Sequence, residues 1–329
     1  MVLPSGGLGA APPETEHMTR FAYWHETVLA GLLVALLVTA GWLEPAFVRP
    51  GTQLELSTHA WELALLALPM TAVIITGGID LSVGSVMALS AVVLGLTFEA
   101  HVPVWIGAVL AVLTGLVAGL LNGVFVARVK VHPLIVTLAT LSAYRGVAEG
   151  ISLARPISGF PDGFAVLGRG SLLGVPVPGL IFAVAAVVFG FLLARTVSGR
   201  AVYAIGHNET ACRFSGIPVD RIKLMLYSVS GLMAGLAAVL FVARRNTAKA
   251  DIGTGMELDV ITAVVLGGTS IFGGHGRIPG TLLGVLLIHE TREFVSWRWN
   301  NDELIFVVTG VLLIASVLIH SLFTARGRE

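Results

Sequence analysis

Val175-Pro-Val-Pro-Gly-Leu-Ile-Phe-Ala-Val-Ala-Ala-Val-Val-Phe-Gly-Phe-Leu-Leu193 runs from end to end without one charged side chain, and Thr27–Leu43 does the same. A bilayer's hydrocarbon is about 30 Å thick and a helix rises about 1.5 Å per residue, so one crossing needs about 20 apolar positions. In lipid a backbone must satisfy its own amides, which leaves helices or closed barrels. Barrel strands alternate apolar and polar residues over about ten positions; these stretches do not alternate. The 329-residue chain fits that reading throughout. It is 55% apolar and 12% charged, against roughly 25% charged in soluble domains, and its mean hydropathy is +0.88. The expected fold is an all-α, polytopic integral membrane protein.

Ten crossings are expected: Thr27–Leu43, Ala60–Thr76, Leu81–Phe98, Val102–Ala127, Pro133–Ile151, Val175–Arg195, Ile222–Ala243, Asp259–Phe272, Pro279–Phe294 and Leu304–Leu322. Three have unusual composition. Leu81–Phe98 starts directly after Gly77-Gly78, Pro133–Ile151 contains Arg145 and Glu149, and Asp259–Phe272 is short and broken by glycines. Such spans are tolerated where they face protein or a wet cavity. Residues 1–26, rich in Pro, Gly and Glu, read as a disordered lead, residues 27–322 as one transmembrane domain, and residues 323–329 as a cytoplasmic tail. The lead has neither the basic start nor the small-residue cleavage site of a secretory signal.

Lys and Arg in short loops set orientation. The connection 195–221, the turn Arg128–Lys130 and the tail with Arg326 and Arg328 are basic, and ten crossings bring all three to the cytoplasmic side. The loop Ala243–Leu258, with Arg244, Arg245 and Lys249, falls outside and disagrees. Glycines at spacings of four (Gly115, Gly119 and Gly123; Gly231 and Gly235) predict close helix packing within the chain. Thr71-Ala-Val-Ile-Ile-Thr-Gly-Gly78 and Thr262-Ala-Val-Val-Leu-Gly-Gly268 echo each other, as a remnant repeat would.

Several chemistries are excluded. The net charge of zero gives no nucleic-acid footprint, and the single Cys212 excludes an intrachain disulfide or a multi-cysteine metal site. Walker A, the zinc-protease His-Glu-x-x-His and Gly-x-Ser-x-Gly are all absent. No catalytic residue, metal ligand or bound cofactor is expected. In Thr76-Gly-Gly-Ile-Asp80-Leu-Ser82-Val-Gly84-Ser85, Asp80 either caps the next helix or takes part in solute passage. In Gly199–Pro218, Asn208 is an N-cap and Gly216 a C′ residue of a short helix. That helix is either a docking element or an ordinary solvated loop.

Four motifs, in order over roughly Ala60 to Leu318, decide between these. They are Gly77-Gly-Ile-Asp-Leu-Ser-Val-Gly84; Pro133-Leu-Ile-Val-Thr-Leu-Ala139 with Tyr144-Arg-Gly146; Gly199-Arg through Ala204-Ile-Gly206-x-Asn208-x-x-Ala211 to Ser215-Gly-Ile217; and Ile261-Thr-Ala-Val-Val-Leu-Gly-Gly-Thr-Ser-Ile-Phe-Gly-Gly274. Through them the chain resembles the permease subunits of bacterial ABC importers for ribose, rhamnose and autoinducer-2. The resemblance implies an inner-membrane, multi-pass permease for a monosaccharide or related polyol, working by alternating access. It implies three protein partners: an ABC ATPase that binds the ATP and Mg, a periplasmic or extracellular substrate-binding protein, and a second permease subunit, identical or related. The stretch Ala204–Ile217 becomes the coupling helix. Gly206, Asn208, Glu209, Ala211, Arg213, Ser215 and Gly216 become the ATPase-coupling residues, and Glu209→Lys or Gly206→Trp is expected to abolish ATPase association without unfolding the chain. Gly77, Gly78, Asp80, Ser82, Arg145, Glu149, Gly267, Gly268 and Thr269 become the pathway and gating set. Arg145 and Glu149, four apart on one helix, are expected to neutralise each other. Two stretches depart from the family: His289-Glu-Thr-Arg-Glu-Phe294, and Val295-Ser-Trp-Arg-Trp-Asn-Asn301, whose Trp297 and Trp299 read as interfacial anchors or, alternatively, as stacking platforms for a sugar face. The alternatives are an ion-coupled secondary sugar transporter, and a membrane hydrolase using Ser270 or Ser85 with His275.

Overall fold

In the computed structural model, residues 24–300 and scattered positions between 304 and 314 are described. The tail and most of the tenth expected crossing lie outside them, as does the lead up to residue 23; Trp24, His25 and Glu26 already belong to the first helix. The helices are α1 Trp24–Leu43, α2 Pro50–Ser57, α3 Trp61–Ile75, α4 Val83–Glu99, α5 Val104–Gly123, α6 Pro133–Ser152, α7 Asp162–Arg169, α8 Val177–Arg195, α9 Val197–His207, α10 Glu209–Phe214, α11 Val219–Arg245, α12 Met256–Leu266 and α13 Ile278–Trp299. A π-turn, Val124–Arg128, prolongs α5. Strands are confined to two-residue pairs: β1 Ile157–Ser158 with β4 Thr247–Ala248, and β2 Ser171–Leu172 with β3 Val175–Pro176, both antiparallel.

The protein is all-α and polytopic, but its crossings are of two kinds. Among the described residues five helices are long and apolar enough to span alone: α1, α5 with its π-turn, α6, α8 and α11. The others are shorter, bent or charged. α2 meets α3 at 59°, α4 has 17 residues, and α12 has only 11, about 16 Å of rise. α13 is long enough but carries His289, Glu290, Arg292 and Glu293 mid-helix. The core forms around α3, buried along nearly its whole length.

The predicted glycine packing is intramolecular. A Cβ on Gly115 would stand 2.2 Å from the Gly231 carbonyl oxygen, and one on Gly119 2.2 Å from that of Tyr227. Without side chains at these positions, α5 and α11 meet backbone to backbone, which is how helices gain contact where no hydrophobic effect drives them together.

Contacts between connections sort into two faces, as alternating crossings require. On one, β1 pairs β4, Arg155 pairs Glu99 at 3.3 Å, Arg298 pairs Glu44 at 3.4 Å and His59 meets Glu293 at 3.1 Å. On the other, Lys130 pairs Asp220 at 2.8 Å and the Tyr203 hydroxyl donates to the Gly276 carbonyl at 2.8 Å. The discordant outer loop also finds its reason here. Arg244 is folded against buried Glu62 at 2.9 Å and Lys249 is paired with Asp251 at 3.0 Å, so two of its three cations are neutralised locally.

That loop does not stay at the surface. Ala248 packs on Gly95 of α4, and the Gly253 carbonyl lies 2.2 Å from where a Cβ on Gly84 would be. The chain therefore descends about 16 Å along α4 before α12 begins. Non-helical backbone at that depth needs internal hydrogen-bond donors, and Arg145 of α6 supplies them: its Nη1 donates to the carbonyls of Ala250 and of Ile252, the latter at 2.8 Å.

Candidate functional site: a surface lever on two helix ends

α3 and α12 end identically. Gly77 and Gly268 take positive φ, 76° and 88°. Behind them the amides of Gly77 and Gly78 bond the carbonyls of Ile74 and Val73, and the amides of Gly268 and Thr269 bond those of Val265 and Val264. Both are Schellman ends, where a glycine without a Cβ lets the chain turn left-handed. The predicted gating glycines thus terminate two helices, of 15 and 11 residues, that are too short to span alone. α12 then packs tightly on α13, with a Cβ at Gly267 only 2.6 Å from the Gly280 backbone.

The short helix expected between Asn208 and Gly216 is present as α10. Asn208 Oδ1 accepts from the Ala211 amide at 2.9 Å. At the other end Gly216 (φ 79°) follows a third Schellman turn, with the Ile217 amide bonding the Cys212 carbonyl at 3.0 Å. A six-residue helix is unstable alone; ion pairs hold this one. Glu209 accepts from Arg213 and from Lys223, each at 2.6 Å, Arg213 reaches Asp220 at 2.6 Å, and Lys130 closes the set. Each half-exposed pair contributes little, but together they fix the helix's orientation. Burial works to raise the pKa of Glu209; hydrogen bonds from Lys223 and Arg213 outweigh it and hold the carboxyl below its ordinary range.

The α9–α10 segment rests directly on the tip of α3. A Cβ on Gly206, near the end of α9, would stand 1.9 Å from the Ile75 carbonyl oxygen and 2.4 Å from the Gly274 nitrogen. The Gly274 amide itself donates to that Ile75 carbonyl at 2.8 Å. One carbonyl, at the tip of α3, therefore touches both the lever and the loop that follows α12.

Three expectations change. Gly206 is an interior contact, so Gly206→Trp would damage the membrane domain rather than an outer docking surface. Glu209 faces its own chain's cations, so charge reversal would first break α10's internal network. Among the described residues Arg145 and Glu149 form no ion pair: Arg145 turns to the descending loop, and Glu149 is exposed. Asp80, 1% exposed, lies two residues before Ser82, the N-cap of α4, which has no side-chain cap hydrogen bond. Its Oδ1 accepts from the Ser82 amide (3.0 Å) and hydroxyl (2.7 Å), and its Oδ2 from Ser230 of α11 (2.8 Å); Asn122 of α5 donates to the Ser82 oxygen at 2.7 Å. It ties α4 to α5 and α11. Thr269 is buried beside Gly276. Ala211 and Ser215 are exposed on α10 and its cap. The hydrolase alternative has no geometry behind it: Ser85 Oγ donates to the Ser82 carbonyl, Ser270 meets His275 through backbone, and His275 lies edge-on to His207.

Phe214 was not among the expected residues. It is 89% exposed on α10, and Phe272, in the loop after α12, is 87% exposed. The available signal was a phenylalanine closing an otherwise polar helix turn; its outward direction needed the fold.

Two glycine-ended short helices, full-length spans around them and a capped surface helix pair that meets the α3 tip and the loop after α12 make up a membrane transport subunit. The chain belongs to the family described as branched-chain amino acid transport system / permease component, matched over residues 53–317. It is 41% identical over 290 residues to the ribose import permease protein of Bacillus subtilis, covering 87% of this chain and 90% of that one. It is 37% identical over 310 residues to the autoinducer 2 import system permease protein of Yersinia enterocolitica (92% and 94% covered). With its counterpart in Escherichia coli K12 the figure is 36% over 313 residues (93% and 95%). It is accordingly a multi-pass protein of the inner membrane.

Proposed function

We propose that this chain is the permease subunit of an ATP-binding-cassette importer for a monosaccharide or a similarly small polyhydroxylated solute. The family description names amino-acid transport, whereas the relatives similar over most of the chain are named for ribose and autoinducer 2; the reading follows the relatives. The observation that carries the mechanism is the contact of Gly206 with the Ile75 carbonyl and Gly274. A partner ATPase binds ATP and Mg and grips α10, with Phe214 as the apolar anchor. Its closure moves α9 and α10 as one piece. Because α9 abuts the ends of α3 and of the post-α12 loop, that movement re-packs both half-helices and changes which side of the pathway is open. A substrate-binding protein loads the outer face, and a second permease subunit completes the pathway. No covalent step takes place in this chain. The deciding experiment is reconstitution with candidate ATPase and binding-protein partners in proteoliposomes. ATP-dependent uptake of a neutral sugar is expected. Uptake that ignores ATP but collapses with an uncoupler would instead establish the ion-coupled alternative.

A further inference from the structure

Between the outer ends of α3 and α11, the first turn of α12 and the middle of α13 lies an open-sided cavity of about 380 Å³, room for roughly a dozen waters at ~30 Å³ each. Its walls come from the α2–α3 corner (His59), the end of α11 (Arg244), the first turn of α12 (Met256, Asp259) and the middle of α13 (His289, Arg292). Three features stand together there. First, most of the charged groups that line it are already paired, Arg244 with Glu62 at 2.9 Å and Arg292 with Asp259, the Glu293 carboxylate meets the His59 ring at 3.1 Å, and Arg245 is solvent-exposed. Second, His289 is only 5% exposed, yet its Nε2 has no hydrogen-bond partner among the described residues. A buried ring nitrogen left unpaired is costly, so the site is polar and incomplete. Third, the cavity opens beside the broken start of a half-length helix, where transport proteins build solute sites.

We propose that this cavity is a reception site, formed within a single chain, for a neutral, hydroxyl-rich solute of monosaccharide size; the assignment of the solute rests on the transport reading above. The charge pairing selects the chemistry. A hydroxyl both donates and accepts, so it can lie between a guanidinium and its carboxylate without breaking the pair, and it can satisfy His289 Nε2. An ionised solute lodged between Arg244, Arg292 and their carboxylates would have to displace one member of a pair and leave the other uncompensated, and the exposed Arg245 offers an anion only a solvent-screened contact.

The full-length chain in lipid nanodiscs tests this by scintillation proximity with tritiated D-ribose and L-rhamnose, competed by D-gluconate and D-glucosamine. Saturable, millimolar binding of a neutral sugar is expected, at least tenfold tighter than either charged analogue. Met256→Trp fills the cavity and is expected to abolish binding. His289→Phe keeps the ring but removes its nitrogens and is expected to weaken binding about tenfold, with His289→Gln recovering part of the loss. Absence of saturable binding by either neutral sugar, or tighter binding of a charged one, overturns the proposal on the unaltered chain alone, whatever the variants do to folding. ATP-driven uptake by the complete complex separates the two readings. Normal uptake of the bound sugar by a folded Met256→Trp complex removes the cavity and leaves the transporter standing. Binding by the chain without any ATP-driven uptake by the wild-type complex removes the importer and leaves the cavity.

Discussion

Gly206→Ala adds one methyl group at the point where the lever meets the helix ends. The new Cβ would stand 1.9 Å from the Ile75 carbonyl oxygen and 2.4 Å from the Gly274 nitrogen. Both neighbours are backbone, so no rotamer change relieves the clash. Non-bonded heavy atoms settle near 3.5 Å, so α9 must recede from the tip of α3 by roughly 1.5 Å. Alanine is a better helix former than glycine, so the helix itself is not weakened; the contact is. Overpacking of this kind costs about 1–3 kcal/mol, and disturbing the hydrogen bond from Gly274 to Ile75 adds about 1 kcal/mol. A loss of about 2–4 kcal/mol in the lever-to-helix contact corresponds to a thirtyfold or greater shift. In proteoliposomes holding the complete transporter, uptake is expected to fall at least tenfold while ATPase co-purification is retained, because the α10 surface is unaltered. Gly190→Ala on α8, with nothing within 4 Å of its Cβ, is the matched control. Wild-type uptake by the Gly206→Ala complex would refute the idea that motion passes through this contact.

Phe214→Ala has the opposite profile: the bundle is expected to melt at its usual temperature, while ATPase association weakens by the ~2–4 kcal/mol of a buried aromatic anchor, measured by co-purification or surface plasmon resonance. Arg145→Gln removes the guanidinium that holds the Ala250 and Ile252 carbonyls, and is expected to destabilise the detergent-solubilised protein by about 2–3 kcal/mol, read as a lower melting temperature; no change would mean that the descending loop is held otherwise. Gly119→Val drives a branched side chain into the Tyr227 carbonyl and is expected to give no folded protein in a fluorescence size-exclusion assay. The Glu209 pKa is lowered from 4.5, so its contribution is present above the unfolded value and is lost as pH falls through the lower folded one. Protease protection of the α10 connection is therefore expected to stay flat through the neutral and mildly acidic range and to drop only as pH falls below the ordinary glutamate value of 4.5; loss near pH 6 would contradict the assigned ion pairs.

What could be read from the sequence is what depends on neighbours in the chain. Asn208 and Gly216 act within one helical turn, so their capping roles are visible in composition and spacing. Gly119 and Gly231 announce themselves through periodicity. The remainder depends on partners far along the chain. Arg145 has Glu149 one turn away, yet its preferred acceptors are more than a hundred residues distant, because unpaired carbonyls in the descending loop are worth more to a guanidinium than an exposed carboxylate. Gly206 looks like part of a docking surface until Ile75 is found against it. Cys212 is 6% exposed on the inward side of α10, so labelling it cannot report which face the lever occupies; a cysteine at Ser215, in a background lacking Cys212, can. The charges of α13 fail any test of apolar composition although the helix is long enough to span, since they face Asp259 and His59 rather than lipid.

The faint echo between Thr71–Gly78 and Thr262–Thr269 is more than chance similarity in apolar sequence, because the matched residues do the same things. Aligning Gly77 with Gly268 aligns Thr71 with Thr262, and each threonine hydroxyl bonds the carbonyl four residues before it, on Ala67 and Leu258. Both copies end in the same turn at the same face, and each is followed by a helix whose second or third residue is a glycine pressed against backbone: Gly84 on Gly253, Gly280 on Gly267. The copies differ where α12 starts: residues matching the first turn of α3 are unwound in the second copy and held by Arg145. Two helices that run the same way and are joined through α13, by Thr71 against Thr281 at 2.8 Å and Gly267 against Gly280, cannot be displaced independently. A push at the shared Ile75 carbonyl must reach both, and the unwound start of α12 is where the second copy can give way.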